Sequence, residues 1–138
     1  MANVMKAVWQ GGMRFRHTSA SGHEVLTDAP TAAGGTGTAP SPMELMILGL
    51  IGCTGVDVAS ILAKMKQPLE GLEVSAAAER AEDHPRVYTR IHLTYRLRGD
   101  LDENKVKRAI ELSESRYCSA SAMLAGTATI THEFVLDK

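Results

Sequence analysis

The stretch Ser41-Pro42-Met43-Glu44-Leu45-Met46-Ile47-Leu48-Gly49-Leu50-Ile51-Gly52-Cys53-Thr54-Gly55-Val56-Asp57-Val58 decides how this chain folds. Its first residues are a helix start: Ser41 can accept from the N3 amide, Pro42 fits the N1 position, and Glu44 at N3 can reach back to complete a capping box. The spacing predicts a helix from Pro42 to about Lys66, halted before Pro68. Its first half is apolar around almost the whole circumference (Met43, Leu45, Met46, Ile47, Leu48, Leu50, Ile51), where a surface helix would show only a stripe. Such a helix has to be covered on every side. A chain of 138 residues has few elements with which to do that, so a partner subunit supplying the missing cover is expected, with an extensive homodimer interface.

Beyond Gly71 the period changes to two. Leu72, Val74, Ala76 and Ala78 alternate with Glu73, Ser75, Ala77 and Glu79. After an Asp83-His84-Pro85 turn, Val87, Thr89, Ile91, Leu93, Tyr95 and Leu97 alternate with Arg86, Tyr88, Arg90, His92, Thr94, Arg96 and Arg98. The reading is two antiparallel strands with one wet face, the arginine row lying opposite Glu73 and Glu79. Asp102 then caps a helix carrying Val106, Ala109, Ile110 and Ser113 on one side and ending near Arg116. Cys118 and Ser119 precede a short helical segment through Leu124, Gly126 stops it, and Thr127 to Leu136 makes a last strand. Upstream, Val4 to Trp9, Met13 to Arg16 and Glu24 to Leu26 read as a β-meander, followed by a small-residue loop over 29–41. The order of elements is that of an α+β fold, antiparallel sheets around a long buried central helix, in a single domain spanning 1–138.

Composition narrows the function. With 44% hydrophobic residues, 22% charged residues and a net charge of −1, the chain is globular and has no field with which to gather nucleic acid or anionic lipid. The start runs straight into a strand without the charged, apolar and small-residue regions of a secretory leader, which points to the cytoplasm. The apolar run Leu45 to Cys53 is about half of what a membrane span needs and reads as a core helix, so no membrane association is expected. The Gly-rich loop lacks the Gly-Lys-Ser/Thr of a phosphate loop. Cys53 and Cys118, 65 positions apart and outside any C-x-x-C or paired-histidine spacing, do not read as a zinc site; they are either ordinary buried thiols or a redox pair.

The segment Pro40-Ser41-Pro42-Met43-Glu44-Leu45 through Leu50-Ile51-Gly52-Cys53-Thr54-Gly55-Val56-Asp57-Val58, with Ser113-Glu114-Ser115-Arg116-Tyr117-Cys118-Ser119-Ala120-Ser121-Ala122-Met123-Leu124, resembles the OsmC/Ohr family of peroxide-reducing proteins. The resemblance implies an intertwined homodimer with active sites at the subunit interface. It implies that Cys53 is the peroxidatic cysteine and Cys118 the resolving one, that the substrate is an organic hydroperoxide, and that no bound cofactor is used, a lipoyl-type dithiol serving as external reductant. In the Ohr branch a glutamate follows the helix-starting proline ten residues before the peroxidatic cysteine, and an arginine follows a Gly-Gly. Here the first of those positions is Met43 with Glu44 one later, and Gly11-Gly12 is followed by Met13, with Arg14 and Arg16 beyond. The alternative is a non-catalytic stress-response protein of the same fold, binding a small apolar ligand or sensing thiol oxidation.

Peroxide cleavage needs a thiolate and a way to stabilise the departing alkoxide. Cys53 lies mid-helix, where the macrodipole offers little, and Asp57 one turn later would disfavour its thiolate if it shares the face. The candidates for activating it are Arg14 and Arg16, which period two places on one face of their strand. Cys118 stands directly ahead of a short helix, whose free amides favour a thiolate. Each residue also has a plainer reading: Cys53 and Cys118 as core packing, Glu44 as a cap, the arginines as solvated strand charges.

Overall fold

The computed structural model describes residues 3–137. Packing divides the chain into an N-terminal unit ending at Ile47 and a C-terminal unit beginning at Leu48.

The N-terminal unit is the expected meander, with β1 (Lys6–Trp9), β2 (Phe15–Thr18) and β3 (Glu24–Thr27) in the antiparallel order β1-β2-β3. Gly11 and Gly12, at φ 98° and 55°, take the left-handed conformations that close the first turn. The loop that follows β3 is organised around Asp28, only 1% exposed. Its Oδ1 accepts from the Ala29 N–H at 2.7 Å, and its Oδ2 accepts from the Thr36 hydroxyl at 2.6 Å, the Thr38 hydroxyl at 2.8 Å and the Thr38 N–H at 3.1 Å. The loop packs so closely that a Cβ on Gly35 would stand 1.9 Å from the Ala29 carbonyl oxygen.

The hydroxyl of Thr36, followed by the Thr38 donors, holds the Asp28 carboxyl far below the ordinary carboxylate range despite its burial. A depressed folded-state pKa contributes stability above the unfolded value of about 3.9, and that contribution is lost as pH falls through the folded value. Thermal unfolding of wild type and Asp28→Asn should therefore show the larger gap at neutral pH and a gap that shrinks below about pH 4. A gap constant down to pH 2 would remove the carboxylate's charge as its cause.

Helix α1 (Pro42–Lys64) begins with the capping box: the Glu44 N–H donates to Ser41 Oγ at 3.2 Å and the Ser41 N–H to Glu44 Oε1 at 3.1 Å. In the C-terminal unit it is followed by β4 (Gly71–Arg80), β5 (Tyr88–Arg98), α2 (Glu103–Leu112), a wide five-residue turn over Ser113–Tyr117, α3 (Ser119–Leu124) and β6 (Thr129–Asp137). Asp102 caps α2 by accepting from the Lys105 N–H at 3.1 Å. The core collects Leu50, Val58 and Leu62 of α1, Ile91, Leu93, Tyr95 and Leu97 of β5, and Val106, Ala109 and Ile110 of α2. The wet face carries the expected charge pairs, with Glu73 opposite Arg96 and Glu79 opposite Arg90.

Two expectations are corrected. The sheet is mixed: β4 and β5 are antiparallel, but β6 runs parallel to β5, because the connection between them is a helical crossover rather than a hairpin. Tyr88, read as wet, is buried; a register shift between Glu79 and Arg80 inverts the alternation there, and the Arg80 guanidinium lies 5.9 Å over the Tyr88 ring. Within the single chain the central helix is buried along one stripe, through Leu50, Thr54, Val58 and Leu62, one residue per turn. On the other side Leu48 and Val56 are 50% and 69% exposed, and a Cβ on Gly49 or Gly52 would meet nothing. At 23 residues α1 has the length and apolar composition of a membrane span, yet its buried stripe is core.

Candidate active site

Cys53 and Asp57 are one turn apart on α1 and so share a helix face. Cys118 reaches them through the wide turn that extends α2: its N–H donates to the Ser113 carbonyl five residues back at 2.7 Å, opening the helix by one residue. The two sulfurs and a carboxylate oxygen of Asp57 all lie within 4.8 Å of one another. Both cysteines are free thiols, Cys118 buried and Cys53 partly exposed. The carboxylate is held from behind, since the Ser113 hydroxyl donates to Asp57 Oδ2 at 3.0 Å. The structure thus joins the two cysteines that the sequence separates by 65 positions, and adds Asp57 and Ser113.

Cys118 does accept from an α3 amide, the Ser121 N–H at 3.3 Å. That bond does not prevail. Burial first, then the hydrogen bond with Cys53, push the Cys118 thiol up to about 11, so the expected low-pKa thiolate is replaced by a thiol that keeps its proton at neutral pH. Iodoacetamide should therefore modify Cys118 in a Cys53→Ser chain slowly at pH 7.5, with a rate that still rises beyond the ordinary thiol range, because burial persists when the Cys53 hydrogen bond is gone. A rate that levels off below pH 9 would contradict the role of burial.

Beneath the thiols lies a polar network that sequence reading missed. The Tyr95 hydroxyl donates to Glu114 Oε2 at 3.1 Å, and His132 Nδ1 lies 3.0 Å from the same oxygen. The Thr54 side chain also bonds Tyr95, and burial, the dominant effect, raises the phenol well above its usual range. The one available signal was Tyr95 on the core-facing side of its strand, since a buried tyrosine hydroxyl requires a partner. A cavity of about 450 Å³ adjoins the site, its lining including Asp57, Ser60, Ile61, Met65, Leu112 and Tyr117.

The remaining sequence candidates are engaged within the N-terminal unit. Arg14 donates to the Thr38 hydroxyl, itself bound to Asp28. Arg16 pairs with Glu24 at 3.6 Å, and Glu44 is exposed and serves the helix cap.

The family profile for OsmC-like protein matches residues 35–133, a span holding both cysteines and Asp57. The chain belongs to the OsmC-like family. This OsmC-like chain is 41% identical over 128 residues to protein YhfA of Escherichia coli K12, covering 91% of the chain and 92% of that protein. Its fold matches an OsmC-like protein from Mycoplasma pneumoniae at a TM-score of 0.85 and 17% identity, over 100% of the chain and 99% of that structure. It also matches the organic hydroperoxide resistance protein OhrB of Bacillus subtilis at a TM-score of 0.68 and 20% identity, over 96% of the chain and 98% of that structure.

Proposed function

We propose that the chain is a thiol-dependent reductase of organic hydroperoxides. One observation carries this reading: two free thiols, on separate elements, meet within 4.8 Å beside a cavity. The Cys53 thiolate attacks one peroxide oxygen; the O–O bond breaks, Cys53 becomes a sulfenic acid, and the alkoxide takes a proton to leave as the alcohol. Cys118 then condenses with the sulfenic acid, releasing water and forming the Cys53–Cys118 disulfide. An external dithiol, of lipoyl type in this reading, returns both thiols by exchange and is itself oxidised to a disulfide. Apolar walls such as Ile61, Met65 and Leu112 suit an alkyl tail.

In this proposal the protein works as a homodimer in a reducing, cytoplasmic setting, the second copy covering the apolar face of α1. Arg14 or Arg16 serves the thiolate; separate Arg14→Ala and Arg16→Ala chains, compared for the rate of Cys53 oxidation, identify which. Glu44 supports that arginine beyond its role in the cap. Intact-mass measurement after one equivalent of cumene hydroperoxide tests the cycle. The expected product has lost two hydrogens, and the loss requires both cysteines. Stepwise oxygen addition without a disulfide would reject the cycle and favour a thiol sensor, a reading in keeping with Glu44 being committed to Ser41.

A further inference from the structure

We propose that the reduced chain holds a thiophilic divalent cation, Zn²⁺ by its donor set, between Cys53 Sγ, Cys118 Sγ and a carboxylate oxygen of Asp57. The inference rests on the cluster itself and not on the peroxide reading. A tetrahedral Zn²⁺ binds thiolate sulfur at about 2.3 Å and carboxylate oxygen at about 2.0–2.2 Å, so its ligand atoms stand roughly 3.5–3.8 Å apart. The three atoms already lie within 4.8 Å of one another. Closing from that separation to the tetrahedral spacing is a shift of roughly 1 Å.

The surroundings fit as well. Cys53 and Asp57 have the i, i+4 spacing with which one helix face grips a metal from two sides. The carboxylate is oriented by the Ser113 hydroxyl at 3.0 Å, the outer contact that holds a metal-binding group in place. Two sulfurs with one oxygen favour Zn²⁺ over Mg²⁺ or Ca²⁺, which demand all-oxygen cages. Three protein ligands leave a fourth position, and Asp57 also lines the adjoining cavity, from which water or a thiol can fill it. Metal and peroxide then exclude one another: a disulfide has no thiolate to offer, and a metal-held Cys53 is not free to attack.

The test is titration of the reduced, metal-free chain with Co²⁺, followed by its thiolate charge-transfer absorption, and with Zn²⁺ against a chromogenic chelator. One cation per chain is expected, and none after oxidation to the disulfide. Cys53→Ser and Cys118→Ser should abolish the absorption band, and Ser113→Ala should weaken binding about tenfold to a hundredfold. Asp57→Asn, of the same shape as the wild type, should weaken binding while leaving the circular dichroism unchanged. A reduced chain without the band, or Asp57→Asn binding like wild type, overturns the proposal. A chain that forms the disulfide yet shows no band loses the metal site alone. A chain with the band whose thiols ignore peroxide keeps the metal site and loses the reductase reading.

Discussion

Cys53→Ser is expected to slow steady-state consumption of cumene hydroperoxide, with a lipoyl-type dithiol as reductant, by on the order of a thousandfold or more. A serine hydroxyl at this position is neither ionised at neutral pH nor polarisable enough to open an O–O bond, and the remaining thiol, Cys118, is buried and holds its proton. Cys118→Ser has a different signature, because in the proposed cycle the buried, protonated Cys118 is the partner and not the attacking group. Its first turnover should proceed at close to the wild-type rate. Excess peroxide should then carry Cys53 to sulfinic acid, adding two oxygens where wild type loses two hydrogens. Equal consumption by wild type and Cys53→Ser would end the enzymatic reading.

Val56→Arg should convert the proposed dimer to monomers. Val56 is 69% exposed on the single chain, so an arginine there stands in water and is, if anything, a better helix former. In a dimer packed through the Leu48, Gly49, Gly52 and Val56 face, the same charge is buried without a partner, at a cost of about 3–5 kcal/mol in each copy. Two-fold symmetry applies the cost twice, which weakens association by roughly four decades or more. Sedimentation velocity reads the change directly, with circular dichroism confirming that the helix persists. Gly52→Leu probes the same face by bulk, since its Cβ meets nothing within the chain. Both variants sedimenting as dimers would show that this face is not the interface.

The sequence made most of the fold legible wherever the controlling interaction is local. The Ser41–Glu44 box, the Asp102 cap and the buried face of Val106, Ala109, Ile110 and Ser113 all depend on neighbours within about one helical turn, and all are found as read. The direction of β6 depends on a crossover, and the inversion at Tyr88 on a shift in register between β4 and β5, neither of which a single-strand pattern contains. The site divides in the same way. Cys53 and Asp57 are linked by helix periodicity, but the proton affinity of Cys118 is set by burial, which overrides the amide that its local sequence correctly placed. The role of Asp28 is not legible in the sequence, because its donors come from a loop whose composition says only that it is irregular.

The five-residue turn at Ser113–Tyr117 makes the spacing between α2 and Cys118 intolerant of indels. Deleting one residue there would restore ordinary helical winding and swing everything downstream by about 100°, carrying the second sulfur off the Cys53 side. Relatives that use both cysteines should therefore vary in loop lengths elsewhere and keep this interval constant, and a chain shortened within it should fold its helices but fail to cross-link.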